Sequence, residues 1–539
     1  MDRERVGSLT PPSGDAAGHP RTQDPPTDPV RRIAVGAVIG LVAAAVAIAA
    51  GHLVAGLVDP QAAPILTVGQ SAIDATPEWL KSFAIRTFGE RDKTVLLAGI
   101  GAALLVAAVG LGVASVRRPW IGLAGLAAFG LLGILAALAR PVARPAHVLP
   151  PVAAVAAGAA ALLAMRGAIA TSRTSTGAPE AQAPWMLDRR RLLLTGAVGV
   201  TVAATAGGVG NLFARRFRAD GSRAAVRIPP VVSRAGSVRD AQIDVPGLGP
   251  FLTPNERFYR VDTALLVPAV MAEDWRLRLH GSVEREITLD YERLLARPLI
   301  ERDITLTCVS NPIGGRYVGN ARWIGAPLRD LLEEAGPLPG ADQIVSRSVD
   351  GFTIGTPTAV AMDGRDAMLA VAMNGEPLPL AHGFPVRMIV PGLYGYVSAM
   401  KWLVDIELTT FDAYDPYWVQ RGWAERAPIK TMSRIDTPSP FLDLRAGEIP
   451  IAGVAWAQHV GIDRVEVSVD DDSWAAAELA GEDTVDTWRQ WVYRWNATPG
   501  DHRLRVRATD RSGETQTADR AEPFPDGATG HHEIVVRVE

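Results

Sequence analysis

Apolar residues follow two rhythms along the 539-residue chain. Residues 33–58, 94–116, 119–139, 145–165 and 192–214 form long stretches without Lys, Arg, Asp or Glu. At about 1.5 Å per helical residue, each can cross roughly 30 Å of hydrocarbon. Their abundance of Ala and Gly suits close helix packing in lipid. The alternative, buried helices of a large soluble protein, would need five such runs within the first 214 residues. From Arg227 the rhythm shortens. Residues 304–307 and 386–390 read as strands, and Leu328–Ala335 as a helix stopped by Gly336. No regular strand–helix–strand alternation appears, which points to an α+β domain over residues 222–430.

After Pro428 the pattern changes again. Residues 449–457, 462–470, 488–495, 502–510 and 533–539 are short and alternating, with Val465, Val467 and Val469 predicted inward. Thr498-Pro499-Gly500-Asp501 and Arg511-Ser512-Gly513 read as turns. Strands at this spacing predict an antiparallel sandwich over 431–539, with Trp456, Trp474, Trp491 and Trp495 as core candidates. Residues 1–30, rich in Pro, Asp, Arg and Gly, read as a disordered cytoplasmic tail.

Charge separates the same regions. Residues 1–218 carry 21 Lys/Arg against 12 Asp/Glu, or +9; residues 219–539 carry 33 against 46, or −13. The acidic C-terminal part is a poor nucleic-acid binder. A single cysteine excludes an intrachain disulfide framework and any multi-cysteine zinc or iron–sulfur site. Short-loop cations favour a cytoplasmic N-terminus. On that assignment Arg31, Arg32, Arg117, Arg118, Arg166, Arg173 and Arg189–Arg191 lie inside, and Lys81, Arg86, Arg91, Lys93, Arg140 and Arg144 outside. Arg215, Arg216 and Arg218 pull the other way. Four spans over 31–170, a cytoplasmic loop over 171–191 and a fifth span over 192–214 then place the C-terminal part outside. Asp188-Arg189-Arg190-Arg191-Leu192-Leu193-Leu194 resembles a twin-arginine export signal as well as an ordinary positive-inside anchor. His52 and His147 fall near the predicted outer membrane face. Paired histidines on facing helices can ligate haem b, against the plainer reading of two interfacial histidines.

Chemistry concentrates in two segments. Cys308 ends the strand Ile304-Thr305-Leu306-Thr307 and opens into a polar, Gly-containing loop. A thiol so placed can act as nucleophile or soft metal ligand, or be an inert buried side chain. The stretch from His382 through Arg387 to Lys401-Trp402 collects cations near strand ends, suited to an anion pocket. Leu252 to Arg260 adds a polar and aromatic cluster. The chain has no GxxxxGK[ST], Rossmann fingerprint, HExxH or CxxCH.

Together these residues resemble the sulfite oxidase family of molybdopterin enzymes over about 222–539. Thr307-Cys308-Val309-Ser310-Asn311, continuing through Gly319-Asn320-Ala321-Arg322-Trp323, resembles the molybdenum-ligand loop. Met373 to Pro379, His382 to Arg387 and Lys401-Trp402-Leu403 resemble the second pterin-binding stretch. Ile451 to Trp456, Val465 to Asp470, Trp488-Arg489-Gln490-Trp491 and Val506 to Asp510 resemble the immunoglobulin-like dimerisation domain. The resemblance implies a molybdenum–molybdopterin cofactor with Cys308 as metal ligand. It assigns Asn255, Tyr259, His382, Arg387, Ser398 and Lys401 to the pterin and its phosphate. Cys308 and Arg260 become the catalytic candidates. The Asn255 and Phe258-Tyr259 entrance and the twin-arginine-like motif are similar to the methionine-sulfoxide-reducing branch. Phe352 stands where sulfite oxidases carry tyrosine, Pro312 replaces an arginine, and the entrance arginine shifts to Arg260. A sulfite site needs converging positive charge, so these departures favour a sulfoxide or other small oxyanion.

The expectation is a multi-domain chain: an all-α transmembrane bundle, an α+β molybdopterin domain and an all-β immunoglobulin-like sandwich. It acts on a small molecule outside the cytoplasmic membrane, exchanges electrons with a separate partner, and forms a homodimer through the sandwich. Two alternatives stand beside it. One is a cofactor-free scaffold that retains the fold; the other is a membrane subunit carrying electrons or solute.

Overall fold

The computed structural model describes residues 29–77, 80, 83, 87, 92–140, 143–170, 184–214 and 219–539. The predicted tail over 1–28 and most of the 171–191 loop lie outside the described residues, as do the side chains of Arg189–Arg191.

The first apolar stretch forms the helix Pro29–Val58, followed by Asp92–Arg117, Pro119–Leu138 and Leu149–Ala170. Four described helical segments are long and apolar enough to cross a membrane. The fifth stretch is helical within Pro184–Ala214 but is not among those four segments. Small residues set the packing. A Cβ on Gly112 would fall 2.2 Å from the Gly36 carbonyl oxygen, and one on Gly56 2.4 Å from the Gly210 carbonyl oxygen, so the backbones touch where glycines face each other. His147 has a neighbour at each ring nitrogen. Its Nδ1 accepts from the Arg144 N–H at 3.3 Å and its Nε2 faces Asp59 at 3.4 Å. The patterning missed one element, the 12-residue amphipathic helix Pro64–Ala75, which begins on its proline.

The middle region is α+β, as its irregular rhythm predicts. One sheet orders its strands Ile287–Asp290, Arg276–Gly281, Leu403–Thr409, Gln343–Ser348 and Thr353–Pro357. Only the Arg276–Gly281 pairing with Leu403–Thr409 is parallel. The other sheet runs Ile300–Thr307, Val318–Pro327, Met368–Met373 and Glu376–Pro377, with Arg387–Ile389 also on Met368–Met373. The helix Leu328–Ala335 ends at Gly336, whose φ of 68° is the left-handed stop its sequence called for. Trp275, Trp323, Leu279 and Phe384 anchor the core between these elements.

The C-terminal region is a two-sheet sandwich. One sheet comprises Met432–Thr437, Gly447–Trp456, Arg489–Ala497 and Glu478–Leu479; the other Asp443–Leu444, His532–Val538, Gly500–Asp510, Ile462–Val469 and Ala475–Ala476. Trp491, Trp495, Val465, Val467, Leu504 and Val536 meet between them. Two expectations need correction. The turn read over 498–501 is shorter, since Gly500 and Asp501 already belong to the strand Gly500–Asp510. Trp474 is not core: Arg507 lies 4.3 Å and Arg505 5.6 Å from its ring centroid, so its face serves cations at the surface. Trp456 is buried elsewhere, joining Phe251, Val318 and Trp488 where sandwich and α+β domain meet.

Candidate cofactor and catalytic site

Strand Ile300–Thr307 is buried at its end and delivers Cys308 to a cavity of about 550 Å³. The cysteine is held by a closed loop. Its N–H donates to the Tyr317 carbonyl at 2.9 Å, and Asn311 Oδ1 accepts from the Tyr317 N–H at 2.8 Å. The sandwich braces this strand: Gln458 Nε2 donates to Thr307 Oγ1 at 2.9 Å and to the Thr305 carbonyl at 3.2 Å.

Tyr259, Arg260, His382, Arg387 and Lys401 line the same cavity. Gly383 makes that convergence possible. Its φ is 110°, and a Cβ there would sit 3.1 Å from both Lys401 Cα and Arg387 Cβ. His382 Nε2 lies 3.2 Å from the Asn255 carbonyl, which can only accept, so Nε2 carries the hydrogen. Burial, with Arg387 and Lys401 adding to it, pulls the His382 pKa down to about 4, so the imidazole is neutral at neutral pH. Asn255 stands behind it, donating from Nδ2 to Glu376 at 2.5 Å. Ser398 is fully buried away from the cavity wall, its hydroxyl against the Leu393 and Tyr394 carbonyls at 2.9 and 3.1 Å.

Patterning overlooked Asp262. Its carboxylate receives Lys401 Nζ at 2.6 Å, Arg260 Nε at 2.8 Å and Lys93 Nζ at 2.5 Å. Burial alone would raise its pKa, but the three cations hold it far below the ordinary carboxylate range. Burial draws Lys401 down to about 8 against the pull of Asp262. The signal was a carboxylate two residues after Arg260; its partner Lys93 is 169 residues away, beyond any local pattern. Trp418 and Trp423 were also missed and line the cavity with Phe352.

The donor set fits an anionic, thiolate-bound group. Arg387 is 5% exposed, and its Nε is buried without a hydrogen-bond partner among the described residues. Such an atom calls for an acceptor. Burial lowers the Arg387 pKa to about 10, still charged at neutral pH. Burial also pushes the Cys308 thiol up, an environment that a bound metal would reverse.

The family model for the oxidoreductase molybdopterin binding domain matches residues 264–418. Sulfite oxidase from Gallus gallus is 31% identical over 293 residues, covering 46% of this chain and 63% of that protein. The uncharacterized oxidoreductase YuiH of Bacillus subtilis is 32% identical over 152 residues, covering 28% of this chain and 73% of that protein. The sulfane dehydrogenase SoxCD structure from Paracoccus pantotrophus matches 53% of this chain and 83% of that one, at 24% identity and a TM-score of 0.47. The chain spans less than two thirds of the sulfite oxidases it matches. With its cysteine, cations and buried unpaired guanidinium in one cavity inside or beside the matched segment, the chain belongs to the sulfite oxidase-like family of molybdopterin-dependent oxidoreductases.

Proposed function

We propose that this chain is a membrane-anchored, extracytoplasmic oxidoreductase whose molybdenum is ligated by Cys308. The observation that carries the reading is the shared cavity: the only cysteine of the chain opens into the same space as Tyr259, His382, Arg387 and Lys401. When bound, the molybdenum–pterin group supplies two-electron, oxygen-atom transfer. The protein contributes position and charge. Cys308 offers a soft sulfur ligand. Arg387, whose buried Nε lacks a partner among the described residues, would donate to an acceptor on the cofactor, and neutral His382 keeps its Nε2 hydrogen on the Asn255 carbonyl. Arg260, tethered by Asp262, places a donor beside the substrate, Lys401 joins the pterin seat, and Phe352, Trp418 and Trp423 exclude water. Asn255 and Tyr259 complete the pterin seat, and Ser398 supports it from within the fold. The substrate is a sulfoxide or small oxyanion, and electrons pass to or from a separate partner.

The N-terminal helices form a transmembrane bundle of four spans over 31–170 and a fifth over 192–214, the fifth following the twin-arginine-like motif. Leu105, Val106, Leu131, Leu132 and Leu135 are exposed on the helices, as lipid-facing side chains would be. The catalytic domain, 222–430, touches the segments assigned outside by charge. Lys93 reaches Asp262, Asp74 accepts from Tyr417 Oη at 2.6 Å, and Arg140 lines a cavity with Phe352. The sandwich, 431–539, has the two-sheet build of an immunoglobulin-like dimerisation domain.

The test is metal analysis of the purified full chain beside Cys308→Ser. Molybdenum near one per chain, lost in the folded variant, is expected. A variant that keeps full metal content sinks the ligand assignment, and wild-type protein without molybdenum from a cofactor-competent host favours the scaffold. Alkaline phosphatase fused after residue 218 should be active; an inactive fusion overturns the topology.

A further inference from the structure

A second cavity, of about 430 Å³, lies between the N-terminal helices and the catalytic domain. One face of the helix Pro64–Ala75 lines it, through Leu66, Thr67, Gln70, Ser71, Asp74 and Ala75. Gln61 and Arg140, which follow the apolar helices Pro29–Val58 and Pro119–Leu138, line it too. The cavity therefore sits where those helices end. Leu265, Leu266 and Tyr417 come from the catalytic domain. Thr263, Asp350 and Phe352 line both this cavity and the one that holds Cys308.

The polar groups of the cavity select a kind of ligand. Arg140 is committed, with Nη1 donating to the Gln61 carbonyl at 2.9 Å and Nη2 to Gln61 Oε1 at 2.8 Å. Asp74 accepts from Tyr417 Oη at 2.6 Å and from Gln70 Nε2 at 3.5 Å, and both bonds fall on Oδ1. An ionised carboxylate offers about four acceptor positions, so Asp74 can take a further donor on Oδ2. Asp350 is a second carboxylate in the lining. An anionic head group would meet two like charges and a guanidinium already in use. A neutral molecule with hydroxyl donors and an apolar body meets acceptors at Asp74 and Asp350, and carbon at Leu66, Leu265, Leu266 and Phe352. The volume suits a ligand of one or two rings.

We propose that this cavity binds a membrane hydroquinone, which is the separate electron partner of the oxidoreductase reading above, on which the proposal rests. A lipid-soluble carrier reaches the cavity where the apolar helices end, and the shared residues Thr263, Asp350 and Phe352 set it beside the Cys308 cavity. The exchange balances. The hydroquinone loses its two hydroxyl hydrogens as protons, to Asp74 and Asp350, and two electrons, and leaves as quinone. The electron pair goes to the two-electron centre of the Cys308 cavity.

The test uses the full chain in phosphatidylcholine nanodiscs, with molybdenum assayed in the same samples. The probe is a radiolabelled naphthohydroquinone with a short isoprenoid tail, kept reduced, with empty nanodiscs correcting for partition into lipid. Saturable binding at about one per chain is expected. Asp74→Asn, which keeps the shape and loses the anion, should weaken the hydroquinone about tenfold and the matching quinone, which has no hydroxyl donors, far less. Ala75→Phe, at an exposed position of the lining, should abolish both. Under anaerobic conditions the oxidised, molybdenum-loaded chain should convert the hydroquinone to quinone, read by ultraviolet absorbance, and Ala75→Phe should not. Binding by protein without molybdenum supports the cavity and counts against the oxidoreductase reading. Loaded protein that does not bind overturns the cavity alone. Unchanged binding in folded Ala75→Phe, or displacement of the probe by equimolar phosphatidylglycerol, also overturns the proposal.

Discussion

Arg387 lays its guanidinium over the Trp323 indole, with Cζ 5.0 Å from the ring centroid, and donates from Nη1 to the His382 carbonyl at 3.2 Å. The stack fixes the plane of the fork, while Nε remains buried and unpaired among the described residues. A cation held this way is a liability to the empty fold and an asset to an anionic ligand. Arg387→Met should therefore leave the melting free energy of cofactor-free protein within about 1–2 kcal/mol of wild type, since an apolar side chain of similar length often replaces a buried charge at little cost. The same variant should lose bound pterin at least tenfold. Fluorescence of the released, oxidised pterin measures the second effect and chemical denaturation the first. Normal pterin content would remove Arg387 from the cofactor site.

His382 sets an acid limit. Its pKa in the fold is about 4, against an ordinary value of 6.5. Between those values the unfolded chain binds a proton that the folded chain refuses, so stability falls as pH drops from 6.5 to 4 and is level above. The full effect is about 3 kcal/mol. His532, also drawn to about 4 by burial and then by Arg434, adds a second step of the same sign. His382→Gln should thus remove part of the histidine-driven loss over this window. Denaturation midpoints at pH 6.5 and 4.5 for the two proteins decide it, and equal slopes would show that His382 titrates normally.

Much of this architecture is written locally. Leu328–Ala335 ends at Gly336 because the helix period, the capping glycine and the apolar face agree. The valines of Ile462–Val469 alternate because one face of that sheet is buried. Cys308 is exposed to the cavity because a buried strand gives way to a polar loop, and this too was readable. Ser398 was assigned by family position, yet its hydroxyl stays with its own short helix, since position along the chain does not fix where a hydroxyl points. Trp474 looks like core by residue type, but arginines Arg505 and Arg507 one strand away convert it to a surface platform. Lys93 and Asp262 were illegible for a different reason: their pairing is created by docking of two regions, each of which reads sensibly alone.

Gln458 carries the influence of the sandwich into the site. It bonds the Thr305 carbonyl and the Thr307 hydroxyl, immediately before Cys308. Gln458→Ala should cost about 1–3 kcal/mol through the acceptors left unpaired. It should also loosen the cysteine: alkylation of Cys308 in cofactor-free protein should quicken severalfold under native conditions. A destabilised variant with unchanged alkylation would confine Gln458 to holding the two domains together.

Asp262 and Lys93 share one ion pair but differ in what their loss leaves behind. Asp262→Asn strands Lys401 and Arg260 without a counter-charge in a buried setting, which should cost about 3–5 kcal/mol. Lys93→Met removes a cation whose side chain is 23% exposed and leaves Asp262 with two others. The loss in global stability should stay near 1 kcal/mol. Its larger consequence is mechanical, because Lys93 ties the helix Asp92–Arg117 to Asp262 and to the Ala264 carbonyl. Amide exchange around residues 262–266 should therefore quicken in Lys93→Met while the sandwich stays protected. A double mutant destabilised by less than the sum of the two single losses is expected, since Asp262→Asn already removes the carboxylate that Lys93 holds. Simple addition of the two losses would show that Lys93 acts through its other contacts, the Ala264 carbonyl among them.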